Sequence, residues 1–196
     1  MTRMEPPSPE ATVKALMSAV EAKQPLLRSH SERVSWLAAE LARHLKLPER
    51  EVAIVRLAGL VHDVGKVGIA DDILHKPSPL SDVERLLVQS HVQAGLHTLE
   101  AAHFPQEVTT IVAQHHERLD GSGHPAGLAG PEIVLGARVL AVADVFEAMT
   151  ADRPYRRACT QEQARTHLER NSGKLYDSKV VEALRVVSYG LSSDNC

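Results

Sequence analysis

Five histidines and two aspartates of this 196-residue chain stand where a helix would otherwise be wholly apolar: His30, His62, Asp63, His91, His115, His116 and Asp144. Burying an unpartnered imidazole or carboxylate costs several kcal/mol, so a fold that packs these segments must pair each group or coordinate it. Any one of them has an ordinary reading. A histidine on an apolar helix face is more often a hydrogen-bonded core residue, and Asp144 could be a buried cap or ion-pair partner. All of them together, spread over five segments of one small chain, favour a common compensation, and the charge of bound metal is the economical one.

The segments that carry these groups read as helices. Ala11 to Ala22 has apolar residues on a helical period, between a Pro-rich start and Pro25. From Ser29 to Leu45, the residues Val34, Leu37, Ala38, Leu41, Ala42 and Leu45 recur at intervals of three and four, an amphipathic stripe with His30 near its start. Pro48 suits the first turn of a helix running from Glu49 to Asp63, apolar from Val52 to Val61. Ser81 and Glu84 form a capping box ahead of Val83, Leu86, Leu87, His91 and Ala94, which predicts one helix with His91 on its apolar side.

Glu107 to Glu117 and Glu132 to Ala151 are the next helices. Between them lies a breaker-rich loop, Arg118 to Pro131, whose glycines Gly121, Gly123, Gly127 and Gly130 suggest a mobile lid. Thr160 with Gln163 caps another helix, and Ser178 to Val187 forms a last one. No strand series is visible, so the predicted class is all-α, a single-domain helical bundle. Residues 1–24 read as a Pro-rich start and adaptor helix, 25–190 as the functional domain, and 191–196 as a flexible tail.

Composition narrows the functions. Hydrophobic residues at 43% and charged residues at 24% are ordinary for a soluble globular protein, which sets aside disordered and fibrous classes. A formal charge of −3 provides no basic face for a polyanion, and 3% aromatic residues cannot build the stacking platform of a single-strand binder. A small nucleotide is therefore a better expectation than a nucleic-acid polymer. No apolar run is long enough for a membrane span, and the start lacks the apolar region of a secretory signal. Cys159 and Cys196 have no partner at a metal-ligand spacing, so a reducing cytoplasm is the expected location.

Imidazole plus carboxylate without thiolate suits iron, manganese, cobalt, nickel or zinc. Neighbours on a helix point about 100° apart, so the pairs His62-Asp63 and His115-His116 are expected to flank two ions rather than chelate one. An aspartate with two oxygens is the natural bridge. Two ions sharing a water and clamping a phosphoryl oxygen perform phosphodiester hydrolysis.

The segments His30-Ser31-Glu32-Arg33-Val34, His62-Asp63-Val64-Gly65-Lys66, Ile73-Leu74-His75-Lys76-Pro77, His115-His116-Glu117-Arg118-Leu119-Asp120-Gly121 and Asp152-Arg153-Pro154-Tyr155-Arg156 resemble, in order, the motifs of the HD-GYP family. The similarity runs from about Pro25 to Leu184. It implies a helical bundle of the HD phosphohydrolase type that hydrolyses cyclic di-GMP to linear pGpG, and on to GMP in some members. His30, His62, Asp63 and Asp144 would hold one divalent ion, and Asp63 as bridge with His91, His115 and His116 the other, iron or manganese first. Asp63 and Lys66 would be catalytic. Lys66, Arg153, Arg156 and His124 would meet the substrate, with Lys66 one turn beyond His62 if the helix continues.

Two departures accompany the resemblance. Gly123-His124-Pro125 replaces the Gly-Tyr-Pro that names the family, and Leu26 stands where members with a third ion carry glutamate. The first touches substrate affinity and binding of a signalling partner; the second favours two metals. Two other readings accompany the leading one: an HD phosphohydrolase for another cyclic dinucleotide or nucleotide, and a catalytically weak adaptor that binds the dinucleotide.

Overall fold

The computed structural model describes residues 9–152 and 157–187. Over these residues the helices are α1 Pro9–Lys23, α2 Pro25–His44, α3 Glu49–Val61, α4 Asp71–Leu74, α5 Asp82–Gln89, α6 His91–Ala101, α7 Gln106–Gln114, α8 Leu135–Thr150, α9 Gln161–Arg170 and α10 Ser178–Val186. Short 3-10 turns occupy Val64–Gly68 and Gly130–Glu132. Among the described residues there is no strand, only two isolated bridges, so the all-α expectation holds.

The core forms where the apolar stripes predicted. Val34, Leu37, Ala38, Leu41 and Ala42 of α2 are fully buried against Val52, Val55, Ala58 and Val61 of α3 and Val139, Leu140, Val142, Ala143 and Phe146 of α8. α2 and α3 cross closely because Gly59 has no side chain: a Cβ there would lie 2.8 Å from the Cα of Ser35. The α2 helix begins at Pro25, four residues before Ser29, since proline needs no helical partner for its nitrogen at the first position. α1 buries Met17 and Val20 and is joined to α2 through Gln24 alone, so the expected adaptor helix packs on the bundle.

Three helix ends carry polar groups of the site, while His30 and Asp144 lie within α2 and α8. α3 stops at Val61, α7 at Gln114, and the helix predicted across 82–94 breaks at Ser90 into α5 and α6. His91 therefore opens α6 and does not lie on the apolar side of α5, whose Val83, Leu86 and Leu87 are exposed. A common local cause stands at each break. The ring Nδ1 of His62, His91 and His115 donates to the carbonyl three residues back, Gly59 at 2.8 Å, Val88 at 2.7 Å and Val112 at 2.6 Å. Those carbonyls belong to the last turns, where backbone acceptors lack intrahelical partners and a histidine side chain can satisfy one.

The 64–68 turn continues from α3 and lies against α6 with no space to spare. A Cβ on Gly65 would fall 1.9 Å from the His91 carbonyl oxygen and 2.5 Å from the Gly95 nitrogen. Gly65→Ala is therefore expected to destabilise the chain by about 1–3 kcal/mol, as overpacking does. Urea unfolding of wild type and variant measures it, and an unchanged midpoint would mean the turn and α6 are not jammed together.

Candidate metal centre

Committing Nδ1 to a carbonyl fixes the tautomer of three rings. In the neutral ring, His62, His91 and His115 each carry the proton on Nδ1, and each Nε2 is left as a bare acceptor. All three Nε2 atoms are buried without a hydrogen-bond partner, and so is Asp63 Oδ1. Left that way, each such group costs about 1–3 kcal/mol. They also face one another. Asp63 Oδ2 lies 3.4 Å from His62 Nε2 and 3.7 Å from His30 Nε2, while its Oδ1 lies 3.4 Å from His91 Nε2. Nε2 lone pairs that face a carboxylate call for a proton or a cation between them, and the residues present fit a divalent metal.

Two groups of donors flank Asp63. His30, His62 and Asp144 present ligand atoms within 4.8 Å of one another, as do His91, His115 and His116, and a third set joins His62, Asp63 and His115 between them. Asp144 Oδ1 stands 3.3 Å from His30 Nε2 and 3.9 Å from His62 Nε2. Every histidine and aspartate singled out from the sequence as a ligand is thus brought to one place. The separation predicted for neighbours on a continuous helix does not apply. His115 and His116 fall in one group, with ring centroids 3.9 Å apart, because α7 has already ended.

His30 differs from the other rings. Its Nδ1 donates to the buried carboxylate of Glu147, which also receives Arg33 Nε at 2.6 Å. Glu147 sits one helical turn after Asp144 on α8, so one face of α8 supplies both a candidate ligand and the group that orients His30. Sequence reasoning missed Glu147. A carboxylate three residues after Asp144 in an otherwise apolar run was the available signal.

Burial presses the imidazoles toward neutrality. It is the main cause holding His115 down to about 3, with the charge of His62 adding to it, and it lowers His116 and His91 as well. Burial alone would raise the pKa of Asp63, but His62, Lys66, His91 and His30 keep it well below the usual carboxylate range. Asp144 is depressed in the same way, chiefly by its hydrogen bond to His30. For His30, burial pushes down, yet the hydrogen bonds to Asp144 and Glu147 win and raise it to about 9.

Lys66 reaches the site differently from the sequence expectation. α3 ends before it, and the 64–68 turn carries its Nζ to 2.6 Å from Asp63 Oδ2. His124 also approaches: its ring lies 4.8 Å from that of His116, tilted by 35°, and its Nδ1 is buried without a partner. The loop bearing it is held in place by hydrogen bonds to a buried carboxylate. Glu117 is buried, and its carboxylate accepts the backbone N–H groups of Ala126 at 2.7 Å, Gly127 at 3.1 Å and Leu128 at 3.1 Å. Bonds from Gly130 N–H to the Leu119 carbonyl and from Leu119 N–H to the Leu175 carbonyl close the loop further. Arg153 and Arg156 lie outside the described residues, as do the 1–8 segment, the 188–196 tail and the side chain of Leu26.

A helical bundle whose helix ends converge imidazoles and carboxylates on one buried point defines a histidine–aspartate domain of the kind that holds divalent metals. The chain belongs to the HD domain family, which residues 14–180 match. It is 39% identical over 175 residues to the cyclic di-GMP phosphodiesterase response regulator RpfG of Xanthomonas campestris, covering 88% of this chain and 46% of that one. It is 40% identical over 171 residues to the 3'3'-cGAMP-specific phosphodiesterase 2 of Vibrio cholerae, covering 86% of this chain and 33% of that one. The chain thus spans less than half the length of either relative. Among solved structures, Bd1817, a HDG"Y"P protein from Bdellovibrio bacteriovorus, shares the fold with a TM-score of 0.67 at 21% identity over 89% of this chain and 60% of that one. The HD domain of the Listeria monocytogenes phosphodiesterase PgpH does so at 0.63 and 18% identity, over 87% of this chain and 93% of that one.

The proton on His30 gives a pH test. Metal at Nε2 must displace it, so divalent-metal binding should release a proton at pH 7.5, and affinity should rise as the pH approaches about 9. In the metal-free chain the same charge contributes stability that is fully present below 6.5 and lost as the pH rises through about 9. Calorimetric titration in buffers of different ionisation enthalpy reads the proton release; identical heats in both would contradict it.

Proposed function

We propose that this domain is a metal-dependent phosphodiesterase that opens a cyclic dinucleotide, cyclic di-GMP first, to its linear form. The observation that carries this reading is the convergence of buried, unpartnered Nε2 atoms on both oxygens of Asp63. His30, His62 and Asp144 would hold one ion on the Oδ2 side, His91, His115 and His116 another on the Oδ1 side, with Asp63 as bridge. Two bound ions, iron or manganese first and zinc, nickel or cobalt as alternatives, would supply an activated water and neutralise charge at a phosphoryl oxygen. Leu26 supports two ions, since its side chain offers no donor.

The remaining residues handle the substrate. Lys66 lies between the buried carboxylate and solvent, where its ammonium can meet a phosphate oxygen by a charge-assisted hydrogen bond. His124, fixed beside His116 by the Glu117-held loop, offers an imidazole face and nitrogen where the familiar motif has a tyrosine. Arg153 and Arg156 are proposed, on the motif alone, to reach phosphate and guanine. Hydrolysis consumes one water, breaks one P–O bond, and leaves a 3'-hydroxyl and a terminal 5'-phosphate, with the linear dinucleotide as main product. The reducing cytoplasm is the proposed setting, consistent with a free Cys159. Among the described residues no helix is long and apolar enough to cross a membrane. Mixed-base 3'3'-cGAMP is the second substrate reading, supported by the likeness to the Vibrio relative.

The purified chain, loaded with manganese or ferrous iron and given either dinucleotide, should yield linear product on anion-exchange chromatography. Asp63→Ala should reduce turnover to background and lose metal. Lys66→Met should keep its metal while kcat/KM falls about ten- to a hundred-fold, the loss of one charged hydrogen bond worth about 1.5–3 kcal/mol. His124→Ala should raise KM more than it lowers kcat. Full turnover after exhaustive chelation would contradict the assignment.

A further inference from the structure

The turn that carries Lys66 is held from two sides, and only one is accounted for by the site. On one side, Gly65 is pressed against the backbone of His91 and Gly95, where no atom can be added without a clash. On the other stands Lys23, the last residue of α1. Its Nζ donates to the carbonyls of Val67 at 2.6 Å and Ile69 at 2.9 Å, with Asp71 Oδ1 a further 3.9 Å neighbour. A lysine at a helix C-terminus ordinarily serves its own helix dipole. Here the ammonium is directed across to a different element.

The two carbonyls it gathers bracket the exit of the turn. Within the turn, Lys66 N–H bonds to the Asp63 carbonyl at 2.9 Å, and Ile69 N–H bonds to the Lys66 carbonyl at 3.0 Å. Asp63, Lys66, Val67 and Ile69 are therefore one hydrogen-bonded unit, with Lys23 at one end and the Lys66 ammonium on Asp63 at the other. The α1 helix that presents Lys23 is itself anchored by the buried Met17 and Val20. Because the α6 side has no slack, a change on the α1 side is the one the turn can follow.

We propose that Lys23 is a positioning residue, a latch by which α1 sets the 64–69 backbone and so the placement of Lys66 over Asp63. It touches neither substrate nor the candidate ligands, and it acts on phosphate handling rather than on metal content. This rests on the phosphodiesterase reading for its kinetic consequence, while its structural consequence is independent of that reading.

Two measurements on the full chain test it. In amide hydrogen exchange, Lys23→Met, which keeps the aliphatic stem, should speed exchange at Lys66 and Ile69 while the α3 amides stay as in wild type; Lys23→Arg should restore protection. Unchanged exchange at Lys66 and Ile69 overturns the latch whether or not the protein hydrolyses a dinucleotide. In kinetics of the manganese-loaded protein, Lys23→Met should lower kcat/KM about ten-fold, the loss expected when charge-assisted contacts worth about 1.4 kcal/mol are removed, with the same metal content as wild type. Adding Lys23→Met to Lys66→Met should cause no further loss, because the two act through one group. A ten-fold loss repeated in the Lys66→Met background, or lost metal in Lys23→Met, overturns the proposal. Wild type inert toward both dinucleotides would instead sink the phosphodiesterase reading, leaving the exchange result to decide the latch.

Discussion

The arrangement of this domain depends on a hydrogen bond made three times over, from a histidine Nδ1 to a carbonyl in the last turn of a helix. It satisfies an acceptor that the helix cannot, and in the same act it fixes which nitrogen keeps its lone pair. Because His62, His91 and His115 all stand just past the final turn of α3, α5 and α7, three helix ends are brought to one point with their Nε2 atoms facing inward. Buried lone pairs repel a carboxylate, so Asp63 can remain ionised among them only with positive charge near. His62, Lys66, His91 and His30 provide it in the protein alone, the imidazoles when protonated, and divalent metal would take the place of those protons.

The surrounding structure serves this point with parts of ordinary kind. Glu147 orients His30 from α8 and is itself neutralised by Arg33, an outer carboxylate of the sort that stiffens a histidine ligand. Glu117, next in sequence to His116, collects three backbone N–H groups of the glycine-rich loop and so sets His124 against the His116 ring. Both carboxylates are buried and both would be costly to leave unpaired, so each holds its own partners in place.

Much of this was legible in the sequence, and the failures share a cause. The apolar period of α2, α3 and α8 announced the core, the Ser81 and Thr160 capping boxes marked true helix starts, and the anomalous polar residues in apolar runs marked the site. What periodicity could not show is that His62, His91 and His115 stand just past helix ends, His91 at the start of the next helix. A histidine is a neutral helix residue in isolation, and its bond to a carbonyl three residues back becomes decisive only when the ring must turn toward a common centre. Hence periodicity predicts an unbroken helix across 82–94 and Lys66 one α-turn beyond His62, whereas the chain breaks at Ser90 and a 3-10 turn carries Lys66. Glu147 and Lys23 escaped notice because their partners, His30 and the 67–69 carbonyls, are 117 and 44–46 residues distant in sequence.

The central claim is that Nε2, not Nδ1, of the three helix-end histidines would face a bound metal. Long-range nitrogen-15 spectra of histidine side chains in the metal-free and zinc-loaded protein test it directly. Two zinc ions per chain should shift the Nε2 signals of His62, His91 and His115 while their Nδ1 signals remain those of protonated nitrogen. Coordination through Nδ1, or Nε2 signals unmoved by zinc, would contradict the account.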